Sequence, residues 1–242
     1  MEISIVMVTW NRQEITEEAI RAIAKNTITP SRLIVIDNDS DNPMKVRLRE
    51  LQEQGFIHRL VELHENKGLE PAKNIGMQYV ESDLFISTDN DCLPMKVDKD
   101  GDWLSKLVNL MSQYPEYGAI SCRTQVMVGS GNIYDGHEDE DVVEFPWPGG
   151  SLRIMRTNLI NEIGGWRNEV PSRGQEERYI GEKIREFGYT TGFATKVKCY
   201  HMFGKDGNWG YGHVQPSEHG HSPVSHPAIQ NGDDDEEIKE YI

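Results

Sequence analysis

The chain has 242 residues, 37% of them apolar and 27% charged, with a formal net charge of −15. That is enough chain for one well-buried core, and a balance this acidic excludes the basic surface that drives nonspecific nucleic-acid or anionic-membrane binding. No window approaches the ~20 consecutive apolar residues of a membrane span, and the first residues form a strand-like run instead of a charged, then apolar, leader, so a cytoplasmic protein without an integral membrane segment or a nucleic-acid partner is expected.

Residues 3–8 are an apolar, β-branched run that predicts a strand, and residues 14–26 carry Ile15, Ala19, Ala22 and Ile23 at helical spacing. A short apolar run follows over 33–36. Pro43 then opens a helix with Met44, Leu48 and Leu51 on one face, and Gly55 stands at its stop position. Residues 57–63 alternate as a strand, 69–80 read as a helix, and 84–88 form an apolar strand that feeds Asp89 and Asp91. This alternation predicts an α/β fold: a single Rossmann-like domain with a mostly parallel central sheet, helices on both faces, and ligands beyond the carboxyl ends of the strands.

Further along, Asp98, Asp100 and Asp102 have the look of a calcium loop. Trp103 and Asn109, however, stand where an EF-hand needs Gly and Glu, and a helix cap at Asp102 explains the pattern better. Residues 135–144 hold six acids and no Lys or Arg, and residues 233–242 hold six acids against Lys239, so most of the negative charge lies in one loop and one tail. Cys92, Cys122 and Cys199 are widely spaced and contain no C-x-x-C pair, which indicates neither a disulfide framework nor a zinc knuckle. His213, His219, His221 and His226 lie in an aperiodic Gly-, Pro- and Ser-rich stretch, read as a loop over the site, ahead of an acidic, flexible tail at 229–242.

Three polar clusters fall at predicted strand ends: Thr9-Trp10-Asn11-Arg12, Asp37-Asn38-Asp39-Ser40-Asp41 and Asp89-Asn90-Asp91. Each alone is consistent with turn and capping chemistry. Together they converge on the edge where an open α/β sheet takes its ligand. Two carboxylates spaced i and i+2 after a strand can hold a divalent cation, and through it a diphosphate.

The ordered series SIVMVTWNR, RLIVIDNDSDN, NKGLEPAKNIG and ISTDNDCLP, followed by GGSLRIMRTNLINEIGGW and EERYIGEKIREFGY, resembles the family 2 glycosyltransferases of the GT-A fold. The likeness covers roughly residues 1–95 and 147–201. It implies a nucleotide-sugar-binding half at 1–95 and an acceptor-binding half at 96–228 of one domain. It further implies transfer of a sugar from a nucleoside diphosphate sugar, UDP by default, to a saccharide or other hydroxyl-bearing acceptor, with Mn²⁺ or Mg²⁺ as cofactor and inversion at the anomeric carbon.

By that resemblance Thr9, Asn11 and Arg12 line the nucleotide pocket, Asp37 meets the base or ribose, and Lys73 stands where the family commonly has Arg. Asp91 is the leading metal ligand, Asp89 a second ligand or a ribose contact, and His201 completes the site. The catalytic Glu-Asp pair of the family falls on Glu176-Glu177, which makes Glu177 the candidate general base and Glu176 a holder of acceptor hydroxyls. Gly149 and Gly150 let backbone approach a sugar, and Trp147 and Trp166 are candidates to stack on an acceptor ring. A glutamate in place of the usual aspartate also fits a catalytically silent carbohydrate-binding relative. A sugar-nucleotide pyrophosphorylase is the third reading, although its glycine-rich loop is absent after the first strand.

Overall fold

A computed structural model describes residues 2–124, 137, 139–168 and 175–202. Nine strands and six helices alternate along them: β1 (Ile3–Thr9), α1 (Gln13–Asn26), β2 (Ser31–Asp37), α2 (Asn42–Glu53), β3 (Arg59–Glu62), α3 (Leu69–Met77), β4 (Leu84–Thr88), β5 (Cys92–Pro94), α4 (Trp103–Gln113), β6 (Tyr117–Thr124), β7 (Val142–Glu144), β8 (Arg153–Arg156), α5 (Thr157–Ile163), α6 (Glu176–Glu186) and β9 (Thr190–His201). The expected histidine-rich loop and acidic tail lie outside the described residues.

The strands form one sheet in the order β3-β2-β1-β4-β8-β6-β9-β5, with β7 paired to β9. The first half is all parallel. β8 then enters antiparallel between β4 and β6, β9 runs parallel to β6, and β5 and β7 pair antiparallel with opposite ends of β9. Six strands therefore share one direction, in line with the expected mostly parallel sheet.

Alternation along the strands divides the core between the two faces. Ile3, Ile5 and Met7 of β1, with Leu33 and Val35 of β2, face the apolar stripes of α1, α2 and α4, including Ile20, Leu48 and Trp103. Val6 and Val8, with Ile34 and Ile36, face α3, α5 and α6 through Ala72, Ile160, Ile180 and Ile184. Three helices thus cover each face, which is why the central strands are apolar on both sides. Each fully buried Leu or Ile contributes roughly 1.5–3 kcal/mol of transfer free energy.

Local signals end the helices where the sequence places them. Asp41 caps α2 by accepting from Met44 N, with Pro43 in its first turn, and Gly55 follows its end at φ 83°. Asp102 caps α4 through Ser105 N, and its carboxylate also accepts from Ile28 N, Thr29 N and Thr29 Oγ1. It fastens the loop after α1, so its role is structural.

Candidate active site

At the carboxyl end of β1 the chain turns sharply. Asn11 and Arg12 both adopt left-handed backbone, at φ 54° and 58°, and Arg12 becomes the N-cap of α1. That conformation costs a non-glycine residue energy and must be held by its surroundings. Ser40 Oγ accepts from Asn11 N at 2.7 Å and Asn11 Oδ1 accepts from Asp41 N at 2.9 Å, which joins the loops after β1 and β2.

Between those loops Asp37 is fully buried. Its Oδ1 accepts from Ser40 N at 3.3 Å, while Oδ2 has no hydrogen-bond partner among the described residues. Burial raises its pKa. A buried acceptor without a donor is costly, and it marks a place where a ligand N–H or O–H would be rewarded. Asn38 braces the same edge: its carboxamide donates to Asn66 Oδ1 and accepts from Lys67 N, both at 2.9 Å.

Asn90 sets the direction of the two aspartates. Its Nδ2 donates to Thr16 Oγ1 at 2.7 Å and Thr9 Oγ1 at 3.1 Å, which pins the segment after β4 onto β1 and α1. Thr9 is itself buried in this contact. Asp91 Oδ2 accepts from Arg12 Nη1 at 2.8 Å, and its Oδ1 lies 3.2 Å from His201 Nε2. Burial would raise the Asp91 pKa, but His201 and Arg12 outweigh it and hold the carboxylate at about 2. Burial likewise disfavours the His201 imidazolium, and the adjoining Cys92 sulfur and Asp91 carboxylate draw its pKa up instead. Arg12 Nε and Nη2 are buried without a partner among the described residues, a cationic edge suited to an anion.

The buried carboxylate oxygen and imidazole nitrogen, 3.2 Å apart and backed by the Cys92 thiol, are a donor set that fits a divalent cation. Asp89 is not part of that group. Its Oδ1 faces Lys73 Nζ at 3.8 Å, and burial, with Asp91 adding to it, raises its pKa against the pull of Lys73.

Gly150 lies beside both Asp89 and Glu177. A Cβ there would lie 2.7 Å from Asp89 Oδ2 and 3.5 Å from Glu177 Oε1, so a side chain at this position would push the Asp89 carboxylate aside. Gly149 packs on Phe193, and its carbonyl accepts from Ser121 Oγ at 2.7 Å.

The two glutamates at the start of α6 part company. Glu176 is buried, and its Oε1 accepts from Arg153 Nη2 at 2.5 Å, from Lys73 Nζ at 3.2 Å and from Trp166 Nε1. Against the cost of burial, Arg153 and Lys73 hold its pKa at about 2. For Glu177, burial and then the Glu176 charge push the pKa up.

One expectation for the acceptor side, a stacking face on Trp166, is at odds with these contacts. The Trp166 ring is 2% exposed and packs edge-on against Phe85, so it anchors Glu176 from the core and presents no free face to a sugar. Glu176 directs Oε1 at buried cations, and its Oε2 is buried without a hydrogen-bond partner among the described residues. Lys73, 1% exposed, is shared between Glu176 and Asp89. Trp147 does remain 43% exposed, against Phe145 and Arg178.

Sequence reasoning missed Arg153, Asn90, Thr16 and Cys92. Nothing local distinguishes Arg153, which comes from an antiparallel strand 23 residues before its partner. Cys92 could have been found, because it adjoins Asp91.

The family model described as glycosyl transferase family 2 matches residues 4–172. YwdF, an uncharacterized glycosyltransferase of Bacillus subtilis (strain 168), is 29% identical over 93 residues, which are 38% of this chain and 33% of that protein. Among solved structures, the mannosyltransferase PcManGT from Pyrobaculum calidifontis, in complex with GDP-Man and Mn²⁺, aligns with TM-score 0.69 and 22% identity over 85% of this chain and 58% of its own. GalNAc-T7 with UDP, GalNAc and Mn²⁺ aligns at TM-score 0.65 and 16% identity, covering 83% and 43%. Staphylococcus aureus TarS 1-349 with UDP-GlcNAc does so at 0.65 and 15%, covering 83% and 58%. At these identities the likeness is one of fold, and the chain spans less than two thirds of each relative. No helix among the described residues is long and apolar enough to cross a membrane.

Proposed function

The chain belongs to glycosyl transferase family 2, and on that premise we propose that it moves a sugar from a nucleoside diphosphate sugar, UDP-linked by preference, to an acceptor hydroxyl with inversion, assisted by Mn²⁺ or Mg²⁺. The observation that carries this reading is the meeting at Gly150, where Asp89 on the donor side and Glu177 on the acceptor side flank one backbone position. Donor and acceptor chemistry can meet only where such groups converge.

Asp37 Oδ2 would accept from the base or ribose, and Thr9 and Asn11 shape that pocket. Asp91 and His201 would hold the cation, which when bound supplies Lewis-acid stabilisation of the departing diphosphate. Arg12 carries two buried N–H edges beside Asp91 that would add charge-assisted bonds to the same oxygens. Lys73 keeps Asp89 oriented, and Asp89 would contact the donor ribose or sugar. Glu177, with its pKa raised, would take the acceptor hydroxyl proton as the oxygen attacks opposite the diphosphate. Glu176, fixed by Arg153, Lys73 and Trp166, holds the start of α6 in place for that transfer. The GDP-Man and UDP complexes of the structural relatives support a nucleoside diphosphate as the donor's leaving group and Mn²⁺ as the cation.

Calorimetric titration of UDP, GDP and dTDP, each with Mn²⁺ and with EDTA, tests the reading. Manganese-dependent binding of one nucleotide, lost in Asp91→Ala, is expected. Absence of binding by a folded protein would overturn it, and binding without transfer or hydrolysis of any donor sugar would identify a silent relative.

A further inference from the structure

Cys92 lies between the two proposed cation ligands. β5 and β9 pair antiparallel, with Cys92 directly opposite His201, and directly opposed residues bring their Cβ atoms within about 4.5–5.5 Å of each other. The sulfur is 3.8 Å from Asp91 Oδ1, the same oxygen that lies 3.2 Å from His201 Nε2. One donor atom from each of the three residues falls within 4.8 Å of the others, and all three residues are buried. Asp91 Oδ2 is already held by Arg12, so Oδ1 is the oxygen turned toward nitrogen and sulfur.

We infer that the Cys92 thiolate is a third protein ligand beside Asp91 and His201, making a cation site of mixed hardness that takes Zn²⁺, Co²⁺ or Cd²⁺ more tightly than Mn²⁺ or Mg²⁺.

The inference rests on the proposed cation site and specifies its donor set. A tetrahedral site with metal–oxygen and metal–nitrogen bonds of about 2.0 Å and a metal–sulfur bond of about 2.3 Å has an oxygen–nitrogen edge of about 3.3 Å and an oxygen–sulfur edge of about 3.5 Å. The corresponding separations here are 3.2 and 3.8 Å. These two edges therefore differ from the ideal by only tenths of an ångström, and the nitrogen and sulfur lie within 4.8 Å of each other. A carboxylate and an imidazole alone suit several divalent cations, whereas a thiolate favours the softer ones. Binding exchanges the thiol proton for the cation, and that proton leaves to solvent. Cys122 and Cys199 do not compete, because their buried thiols face each other.

Titration of the metal-free full chain with Co²⁺ decides the question by absorption, independently of activity. Visible d–d bands together with a near-ultraviolet thiolate-to-cobalt charge-transfer band are expected. Cys92→Ser should keep the visible bands and lose the charge-transfer band, while Cys122→Ser should keep both. The preference for Zn²⁺ over Mn²⁺, measured by competition, should fall by about tenfold or more in Cys92→Ser. Visible bands without a charge-transfer band in the unaltered chain, or a band that survives in Cys92→Ser, would overturn the thiolate ligand and leave the Asp91–His201 site standing. If the unaltered chain shows no cobalt spectrum at all, the cation site itself fails, and the proposed metal dependence with it. The spectrum of the unaltered chain is decisive even if Cys92→Ser does not fold.

Discussion

Glu176 and Glu177 are adjacent, chemically identical and driven to opposite proton affinities. The first gives its Oε1 to Arg153, Lys73 and Trp166; the second is left with burial and a negative neighbour. A base must be deprotonated to act, so the acid limb of the rate should lie above the ordinary carboxylate value of 4.5 that Glu177 has been raised from. Glu177→Gln is expected to lower turnover by about 10²–10⁴-fold with nucleotide affinity unchanged, as read by steady-state kinetics beside calorimetry. Turnover within a few-fold of the parent would remove Glu177 from the chemistry. The sequence marks both glutamates only as acids at a helix start, and the family likeness points to the pair. What separates them is distant in the chain: Arg153 and Trp166 lie 23 and 10 residues away and Lys73 lies 103 away. No local pattern encodes such a meeting.

Among the elements, α6 bears most directly on the proposed function, because its first turn carries both glutamates. Its apolar residues Ile180 and Ile184 stand at helical spacing, and the structure seats that stripe on the sheet. How closely it packs was not legible. A Cβ at Gly181 would stand 2.3 Å from the Pro146 carbonyl oxygen, so the helix and the segment before Gly149 touch backbone to backbone. Gly181→Ala should therefore displace the start of α6. The expectation is a loss of about 1–3 kcal/mol of stability in denaturant unfolding, with kcat falling more than donor affinity. An unchanged kcat would mean that the helix position does not set the rate. Short strands were the other illegible elements: β5, β7 and β8 have three or four residues each, too few for a period to show.

For the whole molecule, the parallel half β3-β2-β1-β4 was readable because a periodic helix follows each of β1, β2 and β3, whereas the antiparallel insertion of β8 depends on pairing that no local signal records. Global stability should carry the mark of the ion-paired carboxylates. Glu17 and Glu176 have folded pKa values near 2, depressed from 4.5. Their contribution is complete above the ordinary value and is lost as pH falls through the folded one, so the melting temperature should decline between about pH 4.5 and 2. Asp37, Asp89 and Glu177 are shifted the other way and offset part of that decline. Glu176→Gln, which leaves Arg153 buried without its counter-charge and Lys73 with Asp89 alone, should cost about 3–5 kcal/mol at neutral pH and flatten the acid profile, both readable by calorimetric unfolding at several pH values. A variant as stable as the parent, with the same profile, would show that the cluster contributes nothing. Asp89, Asn90 and Asp91 are the only residues between β4, in the middle of the sheet, and β5, at its far edge, where the one strand beside it is β9. During synthesis the aspartates emerge long before the strand that carries His201. The half of the fold proposed to take the nucleotide can thus assemble early from sequence-local pieces, while Asp91 meets His201 only when the last described strand docks, so a nascent or truncated chain would hold the proposed base pocket and Arg12 without the completed cation site.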